Sequence, residues 1–208
     1  MPDRRDYHPY VFDPATRTFV GAFEAMYAAE KTGSFDSWHQ DDPRHLGRRL
    51  AAAVLADYNF ARVLDVGCGK GTFTQTLKRA NNEVVGLDLS ETAIATAQAR
   101  YPDIEFRCAD VSAPGALLAA AGGRVDLVVS LETLSYLARW RDVLAECAAA
   151  GRYVLVGLYL PEDPIGFVKS FEELADAFAA SCRVLECIRL EVRRQIVLFG
   201  ERLEPSTR

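Results

Sequence analysis

The sequence contains no apolar run that approaches the roughly 20 residues needed to cross a membrane. No apolar segment follows the charged opening MPDRRDYHPY, so we expect no secretory signal. A net basic charge is also missing: the formal charge is -5 at pH 7, which argues against nucleic-acid binding. The basic pairs Arg48-Arg49 and Arg193-Arg194 are interpreted as solvated surface. The 208 residues, half hydrophobic and a quarter charged, predict one globular domain without a membrane or nucleic-acid partner.

Cysteine and histidine are too few and too irregularly spaced to indicate a metal site. The five cysteines include no Cys-x-x-Cys pair, and their odd number predicts reduced thiols in a cytoplasmic protein. His39 and His45 lie six residues apart near two aspartates, a spacing that matches no standard ligand pattern. We therefore expect no metal.

Residues 1 to about 60 have helical patterns and no convincing strand, and residues 1–42 are predicted to form a helical cap or lid. Asp13-Pro14 is a typical helix start, an N-cap followed by proline at the first helical position. The apolar face of that predicted helix consists of Phe19, Phe23, Met26 and Tyr27. Thr32-Gly33-Ser34 would end it, and Asp42-Pro43 would open a second helix with Leu46, Leu50 and Val54 as its apolar stripe.

From residue 61 onwards, short apolar runs alternate with helical patterns. The predicted strands are residues 62–66, 83–87, 104–108, 125–130 and 153–159. The predicted helices are residues 72–80, 90–101, 113–121 and 137–149. Strands that are apolar throughout and separated by helices indicate a parallel sheet covered on both faces.

The C-terminal part has a different pattern of predicted elements, one helix followed by two strands in succession. Ser170 and Glu173 form a capping box at the start of a helix predicted over residues 170–180. The strand-like runs 182–190 and 193–199 are too close for a crossover helix and indicate an antiparallel pair. The sequence thus predicts an α/β doubly wound sheet, mostly parallel, over residues 43–200, followed by a tail at 201–208.

A glycine-rich segment, Asp65-Val66-Gly67-Cys68-Gly69-Lys70-Gly71-Thr72, begins within the first of these strands and continues past its end. Ligands of doubly wound sheets bind at the carboxyl ends of the strands, where the strand order reverses. The G-x-G-x-G pattern lacks the third glycine of the dinucleotide fingerprint and the Gly-Lys-Ser/Thr of the phosphate-binding loop. Both phosphate interpretations therefore fail. The pair Tyr27-x-x-x-Lys31, typical of short-chain dehydrogenases, precedes this loop instead of following it and is set aside.

Carboxylates stand at the ends of three successive strands. Asp65 precedes the glycines, Asp88 ends the second strand and Asp110 follows the third. An acidic residue at the second position accepts hydrogen bonds from ribose hydroxyls, and Asp65 would repel a pyrophosphate but attract a cation. Each aspartate alone could be a helix N-cap, but three of them beside a glycine loop indicate a ligand site at this edge.

The glycine-rich segment is followed by three further motifs: Gly86-Leu87-Asp88-Leu89-Ser90, Ala109-Asp110-Val111 and Ser130-Leu131-Glu132-Thr133-Leu134. On these four motifs, residues 44–199 resemble the class I S-adenosylmethionine-dependent methyltransferases. The resemblance implies a Rossmann-like seven-stranded sheet of order 3-2-1-4-5-7-6 with strand 7 antiparallel. It implies S-adenosylmethionine as cofactor and S-adenosylhomocysteine as product. The aromatic stretch 26–39 is loosely similar to a segment of small bacterial N-methyltransferases such as the nodulation-factor enzymes, and would form the lid.

The resemblance also implies a cofactor site. Asp65 would neutralise the methionine ammonium, Asp88 would bind the ribose hydroxyls and Asp110 would accept the adenine amino group. The other implied cofactor-binding residues are Gly67, Cys68, Gly69, Gly71, Leu89, Val111 and Leu131.

Candidates for the acceptor side come from the lid and from the loops after strands four and five. Glu132 matches an acidic residue common in relatives, and Tyr136 stands where many of them carry a histidine; both are candidate catalytic residues. A hydroxyl acceptor usually needs a base, and His39 is the first candidate, with a structural role as the alternative. The candidate substrate-binding residues are Tyr27, Trp38, Tyr159 and Phe167. For each aromatic side chain, packing in the core remains the alternative.

The sequence therefore predicts a methyltransferase that moves a methyl group to N or O of a small molecule of natural-product, amino-sugar or glycan type. We expect it to be a monomer or homodimer. A protein or RNA methyltransferase of the same fold and a non-catalytic nucleoside-binding module are the alternatives. The short chain leaves only the N-terminal segment and a few loops to select an acceptor, which favours a small one.

Overall fold

The computed structural model describes residues 8–13, 15–33 and 35–204. Its strands are β1 (Phe12–Asp13), β2 (Thr18–Phe19), β3 (Arg62–Val66), β4 (Glu83–Asp88), β5 (Glu105–Cys108), β6 (Val125–Leu131), β7 (Gly151–Tyr159), β8 (Cys182–Leu190) and β9 (Gln195–Arg202). Its α-helices are α1 (His8–Val11), α2 (Phe23–Thr32), α3 (Leu46–Leu55), α4 (Thr72–Leu77), α5 (Glu91–Arg100), α6 (Ala116–Ala121), α7 (Trp140–Ala150) and α8 (Phe171–Ser181). Short 3-10 turns cover Ser37–His39 and Leu134–Tyr136.

The large sheet has the order β5-β4-β3-β6-β7-β9-β8. Strand β3 pairs in parallel with β4 on one side and β6 on the other. Strand β9 lies antiparallel between β7 and β8. Counted along this sheet the order is 3-2-1-4-5-7-6 with the seventh strand antiparallel, so the predicted Rossmann-like fold is confirmed. The order reverses between β3 and β6, and a crevice for a ligand opens at the carboxyl ends of such a pair.

Alternate side chains of each central strand enter two helical layers. In β3, Leu64 and Val66 pack with residues of α6, α7 and α8, whereas Val63 packs with residues of α3, α4 and α5. Because both faces of the sheet are covered, most residues of its central strands are apolar. In the described ranges, no helix combines the length and the apolar character that a membrane crossing requires.

Two serines begin helices where the sequence predicts them. The Ser90 hydroxyl accepts a hydrogen bond from the backbone N–H of Ala93 at 3.1 Å, and the Ser170 hydroxyl accepts one from Glu173 at 3.1 Å. Each hydroxyl satisfies an N–H group that the first helical turn leaves unpaired. Local capping signals therefore place the starts of α5 and α8 correctly.

The first predicted helix begins later than its sequence signal indicates. Asp13 lies in β1, and its carboxylate accepts hydrogen bonds from the backbone N–H groups of Ala15 at 2.8 Å and Thr16 at 3.2 Å. Helix α2 starts only at Phe23, so the prediction of a helix start at Asp13-Pro14 is wrong. An aspartate side chain can close a turn as readily as it caps a helix. Pro14 and Ser34 lie outside the described residues.

The second predicted helix is present, but another residue caps it. Helix α3 starts at Leu46, and the N-cap is His45, whose Nδ1 accepts a hydrogen bond from the backbone N–H of Arg48 at 3.4 Å. At the other end of the chain, β9 continues to Arg202, two residues into the predicted tail.

Candidate active site

The glycine loop turns sharply at the end of β3. The backbone N–H groups of Gly67 and Cys68 both donate to the carbonyl of Leu87 in the neighbouring strand, at 2.8 and 2.9 Å. Gly67 has a φ of 78°, and a Cβ atom there would overlap with the side chain of Thr133. Gly69 has a φ of 54°, and a Cβ atom there would overlap with the side chain of Gln40. Only glycine tolerates this combination of backbone and crowding.

Asp88 lies at the end of β4 and is fixed against the glycine loop. One carboxylate oxygen accepts the backbone N–H of Gly69 at 2.8 Å, and the other accepts that of Ser90 at 2.9 Å. Burial raises the pKa of Asp88, whereas these two hydrogen bonds act to lower it. A carboxylate held in this way keeps further lone pairs for hydroxyl donors in the crevice.

Asp65 is buried one strand away, with 3% of its surface exposed. Its carboxylate accepts a hydrogen bond from the Thr74 hydroxyl at 2.7 Å. Burial raises the pKa of Asp65 to about 7, so an arriving cation would favour its charged form.

A single cleft with about 1030 Å³ of empty space, part of it open to solvent, joins these residues to the lid. The predicted site residues that line it are Tyr27, Trp38, Asp65, Gly67, Cys68, Asp88, Leu89, Asp110, Val111, Leu131, Glu132 and Tyr136. The strand ends thus bring most of the sequence candidates into one cavity. Among the described residues, no group of histidine, cysteine and acidic side chains could hold a metal ion.

Five predicted site residues do not line the cleft: His39, Gly69, Gly71, Tyr159 and Phe167. The two glycines lie within the loop itself. The backbone N–H of Tyr159 donates to Glu132 at 2.7 Å, and the ring of Phe167 packs edge-on against Phe19 at 5.3 Å. The carbonyl of His39 accepts a hydrogen bond from Arg48.

Glu132 follows β6 directly and faces the cleft in a left-handed backbone conformation, with φ at 59°. One carboxylate oxygen accepts the Tyr159 N–H, and the other accepts the side-chain amide of Gln195 at 3.1 Å. Burial raises the pKa of Glu132, whereas its two donors and the charge of Arg48 act to lower it. A strained, desolvated carboxylate in a ligand cleft is a candidate for proton transfer.

Three polar residues that the N-terminal part of the chain contributes to the cleft were not among the sequence candidates: Gln40, His45 and Arg48. Arg48 is half-buried, and its guanidinium donates to the carbonyls of Trp38, His39 and Gln40. The interpretation of Arg48 as solvated surface is therefore wrong. No local pattern marks these residues, because only tertiary packing turns them towards the glycine loop.

Aromatic rings form the wall of the cleft opposite the sheet. Tyr136 lies 5.2 Å from Trp38 and 5.4 Å from Phe23 between ring centroids, and Phe23 lies 6.3 Å from Trp38. These three residues are called the aromatic wall below. Two of them belong to the N-terminal segment and the third to the turn after β6, so the lid and the sheet build the wall together.

The cleft fits an adenosyl sulfonium cofactor. Its sheet side offers a buried aspartate for a cationic amine, a second aspartate for ribose hydroxyls and the apolar Leu89 and Val111 for a nucleobase. The two glycines that tolerate no Cβ let the backbone close tightly beneath these groups.

Comparison with known proteins points to the same family. Residues 63–152 match the family described as "Methyltransferase domain". A ubiquinone biosynthesis O-methyltransferase of Ruegeria pomeroyi is 31% identical over 159 residues, which is 66% of this chain and 61% of that protein. Another, from Parvibaculum lavamentivorans, is 28% identical over 145 residues, or 62% of this chain and 56% of the relative. The chain spans less than two thirds of the length of these curated relatives.

Solved structures share the fold. The N-methyltransferase NodS of Bradyrhizobium japonicum, in complex with S-adenosylhomocysteine, superposes with a TM-score of 0.69 at 19% identity, covering 86% of this chain and 98% of that one. The magnesium protoporphyrin IX methyltransferase of Synechocystis, with bound S-adenosylhomocysteine, superposes with a TM-score of 0.65 at 15% identity, covering 96% and 98%. The family match and the shared fold support the prediction from the sequence, a class I S-adenosylmethionine-dependent methyltransferase.

Proposed function

We propose that the chain is an enzyme that transfers the methyl group of S-adenosylmethionine to a hydroxyl group of a small, planar acceptor. The observation that carries this proposal is the single cleft in which the carboxylates of the strand ends face the aromatic wall and Glu132. Direct transfer needs a cofactor site and an acceptor site in contact with each other, and a single cleft lined by both groups of residues supports this arrangement.

The sheet side of the cleft binds the cofactor in this account. Asp88 accepts the ribose hydroxyls, Asp65 pairs with the methionine ammonium, and Asp110 accepts the adenine amino group. Leu89 and Val111 pack on the nucleobase. When bound, S-adenosylmethionine supplies an electrophilic methyl group on a positively charged sulfur.

The aromatic wall binds and orients the acceptor. Planar rings stack well on Trp and Tyr side chains, and such pairs contribute about 0.5–1.5 kcal/mol beyond the area they bury. The wall also excludes water from the reacting atoms, and orientation of the nucleophile is the main contribution to a displacement of this kind. The predicted Trp38 and Tyr27 keep their roles as acceptor-binding residues in this proposal.

Glu132 is the residue we assign to the acceptor's proton. A neutral amine needs no base, whereas a hydroxyl usually does. The half-buried Glu132 carboxylate, whose pKa desolvation raises, can accept that proton better than a solvated glutamate. The curated relatives named above are O-methyltransferases by name, which supports oxygen over nitrogen.

The acceptor class is tested by measuring S-adenosylhomocysteine formation by mass spectrometry with catechol, aniline and glucosamine as acceptors. Catechol turnover is expected to exceed that of the other two by at least tenfold. Faster turnover of aniline than of catechol would show that the acceptor atom is nitrogen and not oxygen. Turnover of glucosamine alone would contradict the proposal that the acceptor is planar.

A binding readout complements turnover. Trp38 lines the cleft, whereas Trp140 is 2% exposed. Catechol should quench the fluorescence of the protein saturated with S-adenosylhomocysteine, and the quenching should vanish in Trp38→Phe. Undiminished quenching in that variant would contradict the wall as the acceptor site. The cytoplasmic location and the monomer or homodimer state stay predictions.

A further inference from the structure

A buried lysine lies next to the glycine loop. The side chain of Lys70 is 4% exposed, and its ammonium contacts the carboxylates of Glu30 at 2.5 Å, Asp36 at 2.6 Å and Asp41 at 3.2 Å. Burial disfavours the charged lysine, but Asp36 and Glu30 outweigh it and raise the pKa of Lys70 above its usual range. The four residues are called the latch below.

All three carboxylates of the latch come from the N-terminal segment. Glu30 lies in the last turn of α2, Asp36 just before the Ser37–His39 turn and Asp41 just after it. The lid is defined from here on as residues 23–33 and 35–41. Three of its carboxylates thus contact one ammonium group of the sheet domain. Asp41 also pairs with Arg100 at 2.8 Å, but that pair is exposed on both sides and contributes little.

The lid touches the same loop through hydrogen bonds. The backbone N–H of Lys70 donates to the side-chain oxygen of Gln40 at 2.7 Å, and the Gln40 amide donates to the Tyr27 hydroxyl at 2.8 Å. The overlap of a Cβ at Gly69 with Gln40 marks how closely the two segments approach. The lid therefore lies directly on the loop beneath the cofactor site.

A second contact joins the lid to the ribose-binding aspartate. The carboxylate of Glu24 accepts hydrogen bonds from the Ser90 hydroxyl at 2.6 Å and from the Thr92 backbone at 3.1 Å. Ser90 in turn donates its backbone N–H to Asp88. The lid is thus connected to both elements that would hold the cofactor.

We propose that Lys70 is a positioning residue that fastens the lid over the glycine loop and thereby sets the rate at which the cofactor exchanges. The proposal rests on the proposed function only in taking S-adenosylhomocysteine as the ligand. Opening the lid separates three carboxylates from one buried ammonium, and loss of one partner from a buried ion cluster leaves charges uncompensated. The closed lid also supplies Phe23 and Trp38 to the aromatic wall.

The test compares Lys70→Met with Lys78→Met, since the Lys78 ammonium donates to the Asn82 carbonyl and lies away from the lid. Stopped-flow displacement gives the dissociation rate of S-adenosylhomocysteine, and amide hydrogen exchange reports on the lid. Lys70→Met should release the product at least tenfold faster, equivalent to about 1.4 kcal/mol. Exchange should rise in residues 23–33 and 35–41 and stay unchanged in β3 and β6. Lys78→Met should behave as the wild type.

A dissociation rate of Lys70→Met within twofold of the wild type, or an unchanged exchange in the lid, would overturn the proposal. A purely structural lysine would lower the melting temperature without changing the dissociation rate. If Lys70→Met does not fold, the double variant Glu30→Gln, Asp36→Asn removes two of the carboxylate charges from the latch. It should likewise speed S-adenosylhomocysteine dissociation and raise hydrogen exchange in the lid, and an unchanged rate or exchange would overturn the proposal. Failure of the wild type to bind S-adenosylhomocysteine would instead contradict the proposed function, and lid exchange without ligand would still test the latch.

Discussion

The side-chain amide of Gln40 fills the space beside Gly69 that any other residue at position 69 would need. Gly69→Ala combines this overlap with a φ of 54°, which L side chains adopt at a cost of about 1–2 kcal/mol. We expect the variant to weaken S-adenosylhomocysteine binding at least 30-fold by calorimetry, because the lid and the loop must move apart.

Gly115→Ala is the matched control, since Gly115 has a φ of 73° but no atom within 4 Å of a Cβ. It should lose about 1–2 kcal/mol of unfolding free energy and keep its affinity. Equal affinity losses in the two variants would show that backbone strain, and not the contact with Gln40, matters.

Cofactor affinity should depend on the ionisation of Asp65. Its folded pKa of about 7 lies above its ordinary value of 3.8, so below pH 7 the carboxyl is largely protonated and binds an ammonium poorly. The affinity for S-adenosylhomocysteine should therefore fall as the pH drops from 8 to 6. Asp65→Asn should bind weakly with no such dependence between these pH values, and a pH-dependence like that of the wild type would contradict the role of Asp65.

The same shift predicts the pH-dependence of stability without ligand. A carboxyl with a raised folded pKa contributes stability that is complete below its unfolded pKa and lost as the pH rises through its folded pKa. The contribution of Asp65 should therefore decline between about pH 3.8 and pH 7, by about 1.4 kcal/mol per pH unit. Urea titrations of Asp65→Asn should show a flatter profile over this window; a profile as steep as that of the wild type would assign the decline to other groups.

Glu132→Gln should lower turnover of a hydroxyl acceptor at least 100-fold, because general-base catalysis contributes about 10²–10⁴. S-adenosylhomocysteine affinity should stay within threefold. The wild-type rate should rise with pH through the raised pKa of Glu132. In Gln195→Leu, this rise of the rate with pH, the ascending limb of the pH–rate profile, should move to higher pH, since the Gln195 hydrogen bond acts to lower the pKa of Glu132. An unmoved limb in Gln195→Leu would assign the titration to another group.

Two N-cap serines separate helix stability from the lid contact. Ser170→Ala should lower the unfolding free energy by about 1 kcal/mol, as loss of a cap usually does, and leave S-adenosylhomocysteine affinity unchanged. Ser90→Ala removes a cap and also the hydrogen bond to Glu24, so it should in addition weaken binding. Identical affinities of the two variants in calorimetry would contradict the link between Glu24 and the cofactor site.

The sheet and its binding edge were predictable because their signals are local. Strands β3 and β8 coincide with the predicted runs, and the three aspartates follow from the position of each strand end. The helix start at Asp13 was not predictable in this way, since the same carboxylate can close a turn and the tertiary structure decides between the two.

The lid residues were harder to predict than the loop. Gln40 and Arg48 lie in segments whose composition resembles a solvated surface, and they reach the cleft only through tertiary packing, Gln40 against the glycine loop and Arg48 against the carbonyls of residues 38–40. His39 was the predicted base, yet the histidine that lines the cleft is His45, six residues later. Sequence spacing cannot rank two histidines of one irregular segment, because the direction of each side chain depends on turns that only packing fixes.

The most direct test of the central claim is calorimetric titration of the protein with S-adenosylhomocysteine and with NAD, using Asp88→Ala and Asp126→Ala. Asp126 also accepts hydrogen bonds from two backbone N–H groups, those of Ala61 and Arg62, but it lies near the amino end of β6, away from the carboxyl ends of the strands. We predict one molecule of S-adenosylhomocysteine bound per chain, no binding of NAD, and affinity at least 100-fold weaker in Asp88→Ala but unchanged in Asp126→Ala. Binding of NAD instead of S-adenosylhomocysteine, or full affinity in Asp88→Ala, would contradict the account.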